Sequence, residues 1–446
     1  MTKIMVSVSG VRGIVGEGLA PEVIMSFAQA FGTYLKGGTV VVARDSRVTG
    51  EMVQNAVTAG LLAVGCDILD VGICPTPTAQ LAVENLKAKG GVIITASHNP
   101  IMWNGLKLIG EDGLFLDAEQ GQEVLRISRQ SDFPLAAWDK IGVRVTYSKA
   151  VDEHIEAILA LKCIDVDRIK SRRFKVVLDC IAGAGSVLLP NLLHRLGCVV
   201  AQLNCEPTGL FRRNPEPLPE NLAELSDRVR AEQADLGIAV DPDSDRLALV
   251  SEKGEPLGEE RTLALAVKCI LEQTRGPVVI NASTSRVNED LAFAADVPLF
   301  RTRVGEVNVA RKMREVGAVI GGEGNGGVIL PELHLGRDAP VGVALTLHHL
   351  AGFRGPLSAL DDSLPGYCIT KEKVKLENLE PQTALDRIRE NHAGEELDFT
   401  DGIKIIREKS WVHIRASNTE PIIRVIAEAP TKKEAARLCK EFKDQI

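Results

Sequence analysis

The sequence predicts an α/β protein made of three related α/β domains followed by a smaller α+β domain. Three segments begin alike and carry that prediction. Val40-Val41-Val42 leads into Ala43-Arg44-Asp45-Ser46-Arg47, Val176-Val177-Leu178 into Asp179-Cys180-Ile181-Ala182-Gly183, and Val278-Val279-Ile280 into Asn281-Ala282-Ser283-Thr284. Each is a β-branched run, then a turn of small residues, then a stretch with apolar residues at three/four spacing, the mark of a strand-loop-helix unit. The recurrence falls about 100 to 140 residues apart, which indicates related domains rather than a solenoid of short repeats. The C-terminal region has a different texture. Residues 367–374, 403–406, 411–414 and 422–427 read as strands and 432–446 as an amphipathic helix, as in a small α+β domain.

Each of the three units holds a further apolar strand with a polar motif directly after it. Residues 91–94 precede Thr95-Ala96-Ser97-His98-Asn99-Pro100, residues 236–240 precede Asp241-Pro242-Asp243-Ser244-Asp245-Arg246, and residues 318–320 precede Gly321-Gly322-Glu323-Gly324-Asn325-Gly326-Gly327. Ligands of open α/β sheets bind beyond the carboxyl ends of strands, so one cleft beside all three motifs is expected. A chain of 446 residues accommodates about three or four domains. Boundaries are placed at 1–150, 151–254, 255–362 and 363–446, with 358–366 as a linker.

Composition narrows the function. Aromatic residues make up only 4% of the chain and the net charge is −8, which disfavours nucleic-acid binding by stacking or by charge. Nine scattered cysteines with no C-x-x-C pair point to buried thiols in a reducing compartment. No apolar run approaches a membrane span, and the N-terminal segment does not resemble a signal peptide. A cytoplasmic protein with no membrane or nucleic-acid partner is expected.

The motifs carry the chemistry. Ser97 sits in a turn beyond a strand. Asp241, Asp243 and Asp245 alternate between two apolar runs. Together they suggest a phosphorylated nucleophile facing a divalent cation, because a phosphoserine carries about −1.5 to −2 charges and is tolerable beside carboxylates only with cations present. Adjacent residues on an extended chain face opposite ways, which argues against His98 as the base for Ser97. A calcium loop is the competing reading of the aspartates, and Glu252 falls at its twelfth position. Arg246, however, occupies the position that requires glycine. Near the C-terminus, Arg415-Ala416-Ser417-Asn418-Thr419-Glu420-Pro421 offers a guanidinium, hydroxyls and amides, with Arg424 close behind, an inventory that suits an oxyanion or a plain hairpin turn.

Taken together, the four loops resemble those of the α-D-phosphohexomutase family: a serine loop, an Asp-x-Asp-x-Asp-Arg metal loop, a Gly-Glu-x-Ser/Asn-Gly sugar loop and an Arg-x-Ser-Asn-Thr-Glu-Pro phosphate loop. All occur in family order between Ser9 and Arg424. The resemblance implies three α/β domains with mixed sheets and an α+β domain around a central cleft. It implies an isomerase that moves a phosphoryl group between the 1- and 6-positions of a hexose, through phospho-Ser97 and a bisphosphate intermediate. Asp241, Asp243 and Asp245, with phospho-Ser97, would bind one Mg²⁺, and a hexose bisphosphate would act as activator. Arg12 would lie by the reacting phosphoryl group. His98 would assist proton transfer with substrate, and Lys107 would act as general base if its pKa is lowered. Arg246 would orient the metal loop. Arg303, Gly305, Glu323 and Asn325 would contact the sugar, while Arg415, Ser417, Asn418, Thr419 and Arg424 would hold the nonreacting phosphate. Arg44, Asp45 and Arg47 are read as an ion-pair cluster that supports the cleft.

Two departures from the family pattern bear on the substrate. Gly327 stands where many members have His, and Trp103 where a Tyr often precedes Asn-Gly. With Gly336-Arg337-Asp338-Ala339 downstream, the sugar loop looks like that of archaeal-type chains, either phosphoglucosamine mutases or phosphomannomutase/phosphoglucomutases. Glucosamine phosphate is the favoured substrate and mannose or glucose phosphate the alternative; loose specificity is expected, because the one or two hydrogen bonds that discriminate at C2 contribute only about 0.5–1.5 kcal/mol each. A phosphatase and a catalytically silent sugar-phosphate-binding protein are the rivals from other classes. The expected assembly is a monomer or homodimer.

Overall fold

The computed structural model describes residues 4–7, 10–375, 380–416 and 422–446. The first sheet has seven strands in the order Met5–Ser7, Gly10–Ile14, Trp103–Gly110, Gly90–Ile94, Gly38–Arg44, Cys66–Ile73, Arg144–Thr146. Gly38–Arg44 runs parallel to Cys66–Ile73 and Gly90–Ile94, whereas Trp103–Gly110 returns antiparallel. The second sheet runs Leu247–Ser251, Leu236–Val240, Lys175–Asp179, Val199–Leu203. The third runs Leu299–Thr302, Val278–Asn281, Ile320–Glu323, Gly327–Ile329.

The three mixed sheets repeat one device. A parallel strand reverses in an antiparallel hairpin: Gly90–Ile94 with Trp103–Gly110, Leu236–Val240 with Leu247–Ser251, and Ile320–Glu323 with Gly327–Ile329. Each polar motif is the turn of its hairpin. The sugar motif is shorter than expected as a loop, because Gly321, Gly322 and Glu323 belong to the incoming strand and Gly327 begins the outgoing one. Gly322 sits at φ 151°, and a side chain there would press on the carbonyl of Gly327.

Gly90–Ile94, Leu236–Val240 and Leu247–Ser251 are buried along their whole length, which explains their continuous rather than alternating apolar runs. One apolar core spans the second and third units, with the buried helix Ala339–Gly352 inside it. Asp338 caps that helix by accepting from the Val341 N–H at 2.9 Å. The first sheet has separate clusters on its two faces.

The fourth sheet is fully antiparallel, in the order Cys368–Lys375, Ile422–Ala429, Trp411–Ala416, Ile403–Ile406, Glu396–Asp398, with its own core beneath Pro381–Asn391 and Lys432–Lys443. The linker expected at 358–366 is not a free connection. It contains the helix Leu357–Asp362, and Glu252 accepts from both the Ser358 hydroxyl (2.5 Å) and its N–H (3.1 Å). Asp361 pairs with Arg261 at 2.6 Å. Turn-forming composition concealed a pinned segment there.

Candidate active site

Ser97 lies past the end of Gly90–Ile94 in a left-handed conformation, φ 49°. Thr95 Oγ1 accepts its N–H at 2.8 Å and itself donates to Asp45 at 2.6 Å. Arg47 stitches the whole turn. Its Nη2 donates to the carbonyls of Ser97 (2.6 Å) and Asn99 (2.7 Å), its Nη1 to those of Pro100 (2.8 Å) and Trp103 (2.9 Å), and its Nε pairs with Asp45 at 3.0 Å. Arg44 takes no part in this ion pair; it donates to Gln54 and to the carbonyl of Asp45. Because the turn is not extended, His98 does reach Ser97: its Nδ1 lies 3.3 Å from Ser97 Oγ, which corrects the expectation that the two face apart. Arg246 and then burial hold the His98 imidazole well below its ordinary pKa, so it is neutral.

The Asp241–Arg246 turn converges its three carboxylates because Ser244 is left-handed, φ 53°. All three aspartates are buried, and an oxygen of each lies within 4.8 Å of the others. Asp241 Oδ2 accepts from Ser97 Oγ at 3.1 Å. Asp243 Oδ2 accepts from Thr76 Oγ1 and Lys107 Nζ, each at 2.7 Å, and Asp245 Oδ2 from Lys107 Nζ (3.2 Å) and Arg337 Nη2 (2.7 Å). The backbone is held as well: the carbonyl of Asp243 accepts from Thr76 N–H (2.8 Å), and that of Ser244 from Ala339 N–H (3.3 Å). The remaining oxygens, Asp243 Oδ1 and Asp245 Oδ1, are buried without a hydrogen-bond partner among the described residues. Buried carboxylate oxygens with no donor are costly unless a cation takes them. Hard oxygen donors converging beside the serine fit Mg²⁺.

Burial first, then Asp245 and Asp243, push the pKa of Asp241 well up. Burial also opposes ionisation of Asp243 and Asp245, but the neighbouring cations prevail and hold both down. Lys107 responds in kind. Burial would lower its pKa, yet Asp243 and Asp245 raise it, so the lowered pKa that a general base needs is not met in this arrangement.

Arg12 and Lys107 share a face of the first sheet. Arg12 pairs in register with Gly105 and Lys107 with Gly10, so both side chains leave toward the same side. A Cβ at Gly105 would lie 2.8 Å from Arg12 Cγ, so glycine makes room for the guanidinium stem. Arg12 Nη1 lies 3.4 Å from Asn99 Oδ1. Arg246 reaches out of its loop to Glu216 at 2.9 Å, while its N–H donates to Asp241.

Glu323 is engaged on both oxygens. Oε1 accepts from Asn281 Nδ2 (2.8 Å) and Gly305 N–H (2.9 Å), and Oε2 from Arg337 Nη1 (2.9 Å) and, weakly, from Asn325 Nδ2 (3.4 Å). Arg303 is exposed and donates to the carbonyl of Thr400 at 3.1 Å. Arg415 and Arg424 pair in register on neighbouring antiparallel strands and so lie on one face. Arg415 Nε is 3.1 Å from Asp401, whose carboxylate also accepts the Val304 N–H. Ser417, Asn418 and Thr419 lie outside the described residues. Sequence reasoning missed Thr76, Asn281, Asp401 and the role of Arg337. None carries a local pattern that distinguishes it, since each acts on a loop distant in sequence.

Comparison with known proteins decides the family. Models described as phosphoglucomutase/phosphomannomutase α/β/α domains I, II and III match residues 3–134, 152–254 and 259–367, and that of the C-terminal domain matches 372–445. The chain belongs to this family of phosphohexomutases. It is therefore an isomerase that transfers phosphoryl groups within hexose phosphates. It is 41% identical to a phosphoglucomutase/phosphomannomutase of Thermococcus kodakarensis, over 96% of this chain and 94% of that one. It is 40% identical to a probable phosphoglucosamine mutase of Methanopyrus kandleri, over 98% and 96%. Among solved structures, a phosphoglucomutase/phosphomannomutase family protein from Burkholderia thailandensis superposes with a TM-score of 0.86 at 28% identity, covering 99% of this chain and 97% of that one. None of the described helices of this phosphohexomutase is long and apolar enough to cross a membrane.

Proposed function

We propose that this phosphohexomutase interconverts glucosamine 6-phosphate and glucosamine 1-phosphate through a phosphorylated Ser97. The observation that carries the mechanism is Ser97 Oγ at 3.1 Å from Asp241, beside two buried carboxylate oxygens that lack a donor among the described residues. Asp241, Asp243 and Asp245 would hold one Mg²⁺, which when bound supplies electrophilic assistance to a leaving serine oxygen. A hexose bisphosphate would serve as activator by phosphorylating Ser97.

The 1-hydroxyl of glucosamine 6-phosphate attacks the phosphorus on Ser97. The bond to Ser97 Oγ breaks, a bond to the sugar oxygen forms, and the hydroxyl proton passes to a base. His98 is neutral and adjacent. Lys107 gains base character only once other charge neutralises Asp243 and Asp245. The resulting 1,6-bisphosphate reorients, and its 6-phosphoryl returns to Ser97, leaving glucosamine 1-phosphate. Arg12 supports the reacting phosphoryl group, and Arg415 and Arg424 with residues 417–419 grip the other phosphate, holding the sugar for attack. Glu323, Asn325, Arg303 and Gly305 address the sugar.

The relative in Methanopyrus kandleri, named a probable phosphoglucosamine mutase, supports glucosamine. The one in Thermococcus kodakarensis, named a phosphoglucomutase/phosphomannomutase, supports the second reading, glucose or mannose phosphate. A panel of glucosamine, N-acetylglucosamine, glucose and mannose 1-phosphates, with Mg²⁺ and a trace of hexose bisphosphate, tests this. The highest kcat/KM is expected for glucosamine 1-phosphate; a higher value for glucose or mannose 1-phosphate overturns the preference. Inorganic phosphate released as fast as isomerisation would instead mark a phosphatase.

A further inference from the structure

Arg337 stands between the two ligand loops. Its guanidinium pairs with Asp245 of the metal loop (2.7 Å), with Glu323 of the sugar loop (2.9 Å) and with Glu306 (2.9 Å), one nitrogen to each carboxylate. The side chain is buried, so these are strong charge-assisted bonds with little screening. Arg places three donors in a rigid plane, and no other cationic side chain offers that geometry.

Two independent features fix where the guanidinium sits. Asp338, the next residue, donates its N–H to the carbonyl of Val328 at 2.8 Å. Its Oδ2 accepts from His154 Nε2 (2.9 Å) and His334 Nε2 (3.0 Å). His334 Nδ1 accepts the N–H of Gly336, which sets the tautomer with its proton on Nε2. His154 Nδ1 lies 2.8 Å from Thr78 Oγ1 in the first domain. The backbone carrying Arg337 is thus tied to the first, second and third domains. The second feature is Gly327. A Cβ there would lie 2.3 Å from Arg337 Cδ and 2.9 Å from its Cγ. The arginine stem fills the space a side chain at 327 would need, so the absence of a side chain at 327 and the presence of Arg337 form one steric unit.

We propose that Arg337 is a positioning residue that couples metal binding to sugar binding. The inference presupposes that the three aspartates hold Mg²⁺ and that Glu323 faces the sugar. Arg337 occupies Asp245 Oδ2 and leaves Oδ1 for the ion, and it occupies Glu323 Oε2 against the weakly held Asn325. The guanidinium is rigid and bonded to both loops, so a carboxylate that shifts onto its ligand carries the guanidinium with it and the other loop follows, and the second ligand meets a loop already in place. The coupling is reciprocal: Mg²⁺ tightens the phosphosugar by the factor by which the phosphosugar tightens Mg²⁺.

The test is calorimetric and uses enzyme stripped of phosphate, which cannot turn over. Mg²⁺ is titrated with and without saturating glucosamine 6-phosphate, for the wild type, Arg337→Met and Gly327→Ala. In the wild type the sugar is expected to tighten Mg²⁺ about fivefold or more, within the usual range of couplings between sites. In Arg337→Met both ligands still bind but the ratio falls to near one. Should that variant fail to fold, Gly327→Ala keeps the charge and displaces the stem, and its ratio is expected to fall likewise. Failure of the wild type to bind Mg²⁺ would defeat the underlying assignment of the metal loop. Binding of both ligands with no coupling in the wild type, or with a ratio unchanged in the folded variant, would defeat the role of Arg337 alone.

Discussion

Arg47 Nη2 donates to the carbonyl oxygen of Ser97 at 2.6 Å, so the backbone of the proposed nucleophile is held by a side chain some fifty positions upstream. The same guanidinium holds three further carbonyls of the turn, and its charge is balanced by the buried Asp45. Arg47→Met removes all of this at once. It should destabilise the protein by about 3–5 kcal/mol, the usual consequence of leaving a buried charge unpaired. Urea unfolding measures it, and a loss within error of zero would show the turn to be self-supporting.

Ser97→Ala should lower mutase turnover about a thousandfold or more while leaving the fold intact, because a covalent relay has no substitute for its carrier. Mass spectrometry of active enzyme should place a phosphate on Ser97. Near-normal turnover by the alanine variant would remove the phosphoserine from the mechanism.

Asp243→Asn exchanges an ionised ligand for a neutral one beside Lys107. Mg²⁺ affinity and kcat should both fall, and exhaustive chelation of the wild type should abolish activity until Mg²⁺ is returned. Activity that survives chelation would mean that the three carboxylates hold no metal that the reaction needs.

Arg415→Ala should raise KM for phosphosugars and release more bisphosphate to solution, since binding energy far from the reacting atoms orients the substrate. It also leaves Asp401 without its guanidinium. Unchanged KM and unchanged bisphosphate release would reduce the segment to a hairpin turn.

Stability should also depend on pH through His413. This buried imidazole faces Ser283 Oγ at 2.9 Å and the carbonyl of Asp401, which joins the third and fourth domains. Burial, with Lys404 and Arg415 beside it, pushes its pKa down to about 4. The unfolded imidazole titrates at about 6.5. The unfolded state thus takes up the proton first, and the contribution of His413 is full above that pH and is lost as pH falls toward the folded value. Melting temperature measured between neutral and mildly acidic pH should fall more steeply for the wild type than for His413→Gln. Parallel curves would show that the acid sensitivity lies elsewhere.

The parts legible in the sequence were those written locally. Residues 236–240 are apolar throughout because both faces of that strand are covered, and the aspartates follow it directly. Ser97 and its loop are similarly contiguous. Contacts between distant segments left no such trace. The reach of His98 to Ser97 depends on a positive φ that residue identity does not announce. Arg337 stands in the sequence only as part of Gly336-Arg337-Asp338-Ala339, and the fold alone brings Asp245, Glu306 and Glu323 around it. The helix at Leu357–Asp362 is held by Glu252 and Arg261, both far from it in sequence, so its turn-like composition misled.

The metal loop takes backbone donors from Thr76 on one side and Ala339 on the other. Those partners emerge from the ribosome at very different times. At about 5–20 residues per second, the stretch from Asp245 to Ala339 requires on the order of ten seconds of translation. Throughout that interval a nascent chain carries three clustered carboxylates whose turn lacks its second backbone tether and the charge of Arg337. The candidate catalytic centre is therefore incomplete until the third domain has been made, and a chain truncated before Ala339 would hold complete serine and aspartate motifs without a finished site.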